Sequence, residues 1–189
     1  MPEAGDAEIP LAVAKVVIQV RAASSGSINW HAGAAPEMET TVHELVYVLR
    51  FSGHATPVGP AGGMIKIAAT APSCTIGTTI GPEGVWAEMR HMAGDDATLV
   101  SEVIFTGRAT FQATGTIMFG IGHALHISTA GSGYLIAGHD PVRRHGGAIW
   151  RIEGGDGQFA QASGLVTSSF LLGEDGLIVD CQSGVILLP

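Results

Sequence analysis

Charged side chains are scarce in this chain of 189 residues. They make up 14% of it, hydrophobic residues make up 46%, and only nine residues are Lys or Arg. A protein that follows a nucleic-acid backbone needs a basic surface. Here the formal net charge is −8, and the one adjacent basic pair is Arg143–Arg144. We therefore expect no nucleic-acid partner.

Cysteines and long apolar runs are also rare. Cys74 and Cys181 are too few for a disulfide framework or a cysteine zinc site, so we expect two small buried side chains and leave open whether they pair. No apolar run approaches the ~20 residues of a membrane helix. The acidic start, MPEAGDAEIP, does not have the pattern of a signal peptide. We expect a cytoplasmic protein without a membrane partner.

Short alternating segments separated by glycine-rich turns dominate the rest of the sequence. Residues 41–51 alternate so that His43, Tyr47 and Phe51 share one face, and residues 99–112 alternate around Gly107, where we expect a bulge or barrel corner. Such segments number eight to ten, and no amphipathic helix of ten residues is visible.

This pattern predicts an all-β fold: a single antiparallel, roughly eight-stranded up-and-down (calycin-like) barrel, in which closure removes exposed strand edges. We expect residues 1–10 to be a flexible leader. Residues 11–189 then form one barrel domain.

One glycine-rich stretch carries a family resemblance. Ala148, Trp150 and Ile152 share a strand face, after which Gly154, Gly155 and Gly157 permit unusual backbone geometry and Phe159 supplies an anchor. The pattern Gly-Gly-x-Gly-x-Phe, followed by Gly164 at the next strand, resembles the signature shared by allene oxide cyclases and dirigent proteins. The resemblance implies an eight-stranded antiparallel barrel, commonly trimeric, that steers cyclisation or coupling of apolar molecules without a cofactor. It assigns no active-site residue.

Several polar and aromatic side chains are candidates for a site inside the barrel. A histidine or an acid–base pair held in an apolar interior has a shifted pKa and suits proton transfer. The structural alternatives are a hydrogen-bonded core histidine, exposed ion pairs and aromatic core packing. The catalytic candidates are His43, Tyr47, Glu88, Arg108 and His126. The ligand-binding candidates are Phe51, Phe105, Tyr134 and Trp150.

A metal site is not expected. His123 and His126 are three residues apart, so on a strand they face opposite sides unless the chain bulges. Glu88 and Arg108 are expected to form an ion pair if both face inward.

Three functions follow from these observations. The leading hypothesis is a cofactor-independent isomerase or cyclase that acts on a small apolar, polyketide- or lipid-derived molecule in the barrel lumen. The second is a non-catalytic carrier of such a ligand, and the third is a structural or oligomeric barrel with a filled lumen. Low charge and the family resemblance favour a homo-oligomer, with a trimer expected from the resemblance.

Overall fold

The computed structural model describes residues 42–59, 63–138, 140 and 142–189. The predicted leader at residues 1–10 and the first part of the predicted barrel domain, residues 11–41, lie outside the described residues. The predicted domain range stays a prediction.

Strands make up most of the described chain, and the only helical element among the described residues is a 3₁₀ turn at Gly157–Phe159. Within the described ranges, no helix is long and apolar enough to cross a membrane. The strands are β1 (His43–Val58), β2 (Met64–Ala71), β3 (Cys74–Gly81), β4 (Gly84–His91), β5 (Ala97–Phe105), β6 (Thr110–Met118), β7 (Ala124–Thr129), β8 (Gly133–Ala137), β9 (Arg143–Asp156), β10 (Ser163–Gly173) and β11 (Leu177–Leu188).

The strands close into an antiparallel barrel. Neighbours pair in the order β10-β11-β1-β2-β5-β6-β7-β9, and β9 pairs again with β10. The β7 and β8 strands follow one another along the same side of β6 and β9, so they act as one interrupted strand. The β3–β4 hairpin is an insertion between β2 and β5. The predicted all-β, eight-stranded up-and-down barrel is confirmed.

Alternation along each strand separates the interior from the outer surface. On β9, Ala148, Trp150 and Ile152 are buried while the residues between them are exposed. The same period fixes the interior face of β5, where Leu99 and Val103 are buried. The predicted faces of these segments are confirmed.

One end of the barrel is filled by aromatic side chains. The ring centroids of Tyr47 and Phe119 lie 6.1 Å apart, and those of Phe119 and Phe159 lie 5.0 Å apart. Phe159 is only 1% exposed, because the 3₁₀ turn folds it over this end. Edge and tilted ring contacts of this kind add to the stabilisation from burial. None of these three rings lines the apolar cavity that is described below.

The glycine signature has the geometry that its sequence indicates. Gly154 has φ of 102°, a region that residues with a side chain rarely adopt. A Cβ on Gly155 would contact the Ala124 carbonyl oxygen and lie 2.8 Å from the Phe159 Cβ. Because Gly155 has no Cβ, β9 can pair closely with β7 at Ala124, and the Phe159 side chain can pack in the core.

Two expectations are wrong. Gly107 is not a bulge within one long strand; it lies in the turn between β5 and β6, where the Thr106 N–H donates to the Thr110 carbonyl at 2.9 Å. Both cysteines are free thiols, but Cys181 is exposed because its position on β11 faces outward, so it is not a buried side chain.

Candidate functional site

An apolar cavity occupies the interior beyond the aromatic end of the barrel. Its volume is about 40 Å³. This is room for a few water molecules and well below the roughly 300–1,000 Å³ typical of ligand pockets. The residues that line it are Ala55, Ile65, Ile67, Ala69, Leu99, Ser101, Val103, Phe105, Phe111, Leu135, Trp150, Ser168, Phe170, Leu172, Ile178 and Asp180.

The side chains at one end of this cavity are only half-buried. They belong to Ile65, Phe105, Phe170 and Leu172 and pack against the core without being sealed into it. These four side chains therefore form the less tightly packed part of the cavity wall.

A carboxyl group lies in the apolar wall. Asp180 is 5% exposed, and its partners across the two neighbouring strands are Phe51 on β1 and Phe170 on β10. The Ser168 hydroxyl donates to Asp180 Oδ1 at 2.6 Å, and the Gln182 amide donates to Oδ2 at 2.8 Å. A buried acid needs such donors because an unpaired buried charge is costly.

Burial sets the protonation behaviour of this acid. Loss of solvent raises the pKa of Asp180, and the two hydrogen bonds lower it and offset part of the rise. A carboxyl whose pKa is shifted toward neutrality, in the wall of a cavity, suits general acid–base chemistry.

A hydrogen-bonded chain extends from this acid into the barrel. The Tyr47 hydroxyl donates to Gln182 Oε1 at 3.1 Å, which leaves the Gln182 amide nitrogen to face Asp180. Burial raises the pKa of Tyr47 far above its usual range, with Asp180 as the next cause. Tyr47 therefore remains a neutral donor that fixes the orientation of Gln182.

Two further polar atoms of the cavity wall have no partner among the described residues. They are the hydroxyl of Ser101 and the indole N–H of Trp150, whose residues are 2% and 5% exposed. Buried polar groups are nearly always hydrogen-bonded, so each such exception needs an explanation.

Comparisons with known proteins yield one likeness of fold. No family model matches this chain, and no curated protein matches it. A solved structure that is similar to it is that of the pterocarpan synthase dirigent protein GePTS1. The TM-score is 0.42 and the identity is 20%, over 83% of this chain and 99% of that one. Membership of either family named from the glycine signature, the allene oxide cyclases or the dirigent proteins, stays a prediction.

Four of the nine sequence-predicted site residues lie in the interior. Phe105 and Trp150 line the cavity. Tyr47 and Phe51 are buried, with Tyr47 in the aromatic end and Phe51 opposite Asp180. Their roles in catalysis or binding stay predictions.

The other five predicted residues lie outside the interior. Glu88 is exposed on the β3–β4 hairpin, where it pairs with Arg90 at 2.7 Å instead of with Arg108. Arg108 is exposed in the β5–β6 turn, and His43 is exposed at the start of β1. Tyr134 is 59% exposed. His43 is in phase with the buried Tyr47 and Phe51, as predicted, but it lies at the exposed start of its strand. Arg108 was predicted within a strand and lies in a turn instead.

His126 faces the outer surface because Leu125 and Ile127 take the interior positions of β7. Its Nε2 lies 3.4 Å from Asp156, and its Nδ1 lies 3.3 Å from the Thr116 hydroxyl. The side chains of His126 and Asp156 are 47% and 68% exposed, so nothing excludes water from this group. The described residues contain no cluster of three or more His, Cys, Asp or Glu side chains that could hold a metal ion.

The polar residues in the cavity wall, and the amide that is hydrogen-bonded to them, were not predicted from the sequence. These are Ser101, Ser168, Asp180 and Gln182, of which the last two share a face of β11 with Ile178 and Ile186. The sequence signal for Asp180 and Gln182 is their position in phase with Ile178 and Ile186, and it becomes decisive only when that face is known to be buried.

Proposed function

We propose that this protein is a cofactor-independent isomerase or cyclase that binds a small, mainly apolar molecule in the barrel interior. The observation that supports this is the buried Asp180 carboxyl, which lines an apolar cavity and has a raised pKa. In a dry interior such a group transfers protons at a pH closer to neutrality than an exposed aspartate does.

Asp180 acts as the catalytic residue in this proposal. Its carboxylate takes a proton from the bound molecule, the electron pair that is released shifts within the molecule, and the carboxylic acid returns a proton at another atom. The mass of the molecule does not change. Gln182 and Tyr47 position the carboxyl, and the walls hold one folded conformer of the substrate, which contributes through proximity.

The proton transfer is tested by label incorporation. The wild-type protein is incubated in D₂O with an apolar extract of its own host, and liquid chromatography with mass spectrometry follows each compound. We expect one compound to convert to an isomer that carries a single deuterium, because Asp180 exchanges its proton with solvent between the two steps.

Asp180→Asn removes the acid and is expected to abolish this conversion. Asp95→Asn removes the same charge from an exposed position and is expected to leave it unchanged. A compound that is retained by the protein but not converted makes it a carrier and contradicts the proposal. If nothing is retained or converted, the proposal is also contradicted, and a structural or oligomeric role is favoured.

Self-association stays a prediction. On the outer surface Val185 lies between Val46 on β1 and Leu165 on β10, and these side chains are 41%, 69% and 53% exposed. A row of exposed apolar residues on three adjacent strands is typical of a protein interface. Native mass spectrometry gives the number of subunits directly.

A further inference from the structure

The polar groups of the cavity wall define what kind of molecule it accepts. Among the described residues that line the cavity there is one acid, Asp180, and no Lys, Arg or His. An anionic ligand would bring its charge next to Asp180 with no cation to balance it, and a buried unbalanced charge is strongly unfavourable. Fatty-acid carboxylates and phosphates are therefore poor candidates.

The hydrogen-bond donors of the wall divide into two groups. Ser168 donates to Asp180 and is satisfied within the protein. Ser101 and Trp150 are not satisfied: their hydroxyl and indole N–H have no partner among the described residues. An indole N–H can only donate, so the group that completes it must be an acceptor.

The rest of the wall is apolar, formed by aliphatic side chains and by the rings of Phe105, Phe111 and Phe170. An acceptor that reaches Trp150 and Ser101 must therefore be carried by a hydrophobic body. A hydrogen bond to an otherwise orphaned buried donor contributes more than one that only replaces water.

We propose that the cavity recognises a neutral, mainly apolar molecule with a carbonyl or ether oxygen, and that this oxygen accepts hydrogen bonds from Trp150 and Ser101. The proposal rests on the proposed function, because it names the substrate class of the same site. The half-buried side chains at one end of the cavity move aside to admit the hydrophobic body.

Three single-ring probes of similar size test this assignment. Acetophenone carries a neutral carbonyl, ethylbenzene lacks an acceptor, and benzoate carries a negative charge. Each is titrated into the ¹⁵N-labelled full-length chain while the tryptophan indole N–H signals are recorded. Trp150→Phe identifies the Trp150 signal by its loss, and the half-exposed Trp86 serves as an internal control.

We expect acetophenone to bind tightest and to move the Trp150 indole proton downfield, as a new hydrogen bond does, without moving the Trp86 signal. Ethylbenzene is expected to bind more weakly without the downfield shift, and benzoate not to bind. Ser101→Ala should lower the affinity for acetophenone by about two- to tenfold, which is the effect of losing one neutral hydrogen bond. The same substitution should leave the affinity for ethylbenzene unchanged. Ser101→Ala still provides the test if Trp150→Phe does not fold.

Two other outcomes would contradict the assignment, and they distinguish a wrong substrate class from a wrong proposed function. If all three probes bind equally and Ser101→Ala changes none of them, the cavity binds ligands but the assigned substrate class is wrong. If no probe perturbs any residue of the cavity wall, both the substrate class and the proposed function fail.

Discussion

Replacing Asp180 by Asn should stabilise the protein increasingly as the pH rises. Asn is close to Asp in size, and it can accept from the Gln182 amide while its own N–H₂ donates to the Ser168 hydroxyl. It therefore keeps two contacts of the buried carboxyl but removes the group that burial disfavours in its charged form.

The sign follows from the direction in which folding moves the pKa. Folding raises the Asp180 pKa above its ordinary 3.8. Below about pH 4 the carboxyl is protonated in both folded and unfolded chains, and it does not oppose folding. Between that pH and the raised folded-state pKa, only the folded chain keeps the proton, so wild-type stability falls as the pH rises. Each tenfold weakening of the acid on folding corresponds to about 1.4 kcal/mol of lost stability at higher pH.

The assay is urea denaturation of wild type and Asp180→Asn at several pH values from about 4 to 8. We measure the unfolding free energy of the variant minus that of the wild type. Between the unfolded-state and the folded-state pKa of Asp180, we expect this difference to increase by about 1.4 kcal/mol for each pH unit. Above the folded-state pKa it should stay constant. Asp95→Asn, at an exposed site, retains Asp180 and should follow the wild-type profile. A difference that stays constant or shrinks with pH would refute the argument that burial controls this carboxyl.

The remaining predictions concern other parts of the interior. Tyr47→Phe leaves the buried Gln182 Oε1 without its donor and should lower the unfolding free energy by about 1–3 kcal/mol in urea; an unchanged midpoint would contradict the hydrogen-bonded chain. Phe159→Ala should lower the unfolding free energy by about 3–5 kcal/mol, because the ring is 1% exposed and packs at one end of the barrel. Gly155→Ala should lower the melting temperature because its Cβ would meet the Ala124 carbonyl, whereas Gly77→Ala, with open space around it, should not; equal effects would argue against the close approach.

The barrel was predictable because alternation and glycine-rich turns are local signals. Trp150 and its neighbours on β9 alternate in the sequence as they do in the structure, and Phe159 packs as its position after the glycines indicates. Closure followed from the number and order of strands. The turn at Gly107 was missed because the pattern on its two sides stays in phase, so one strand with a bulge and two strands with a turn look alike.

The site was less predictable because a two-residue period does not say which face is inward. On β11, Leu177 and Val185 are exposed while Asp180 and Gln182 are buried. Both faces contain apolar residues, and the register with Phe51 and Phe170 decides between them. His126 was likewise a candidate for the barrel interior, but the structure places it on the outer surface.

Native mass spectrometry of the protein purified from its own host tests the central claim, that the barrel interior binds a neutral apolar molecule, most directly. We predict one bound neutral mass, which is lost after organic extraction and is absent from Ala69→Leu, a variant that fills the cavity wall with a larger side chain. A clean mass of the unliganded chain under gentle conditions, or a molecule retained equally by Ala69→Leu, would contradict the account.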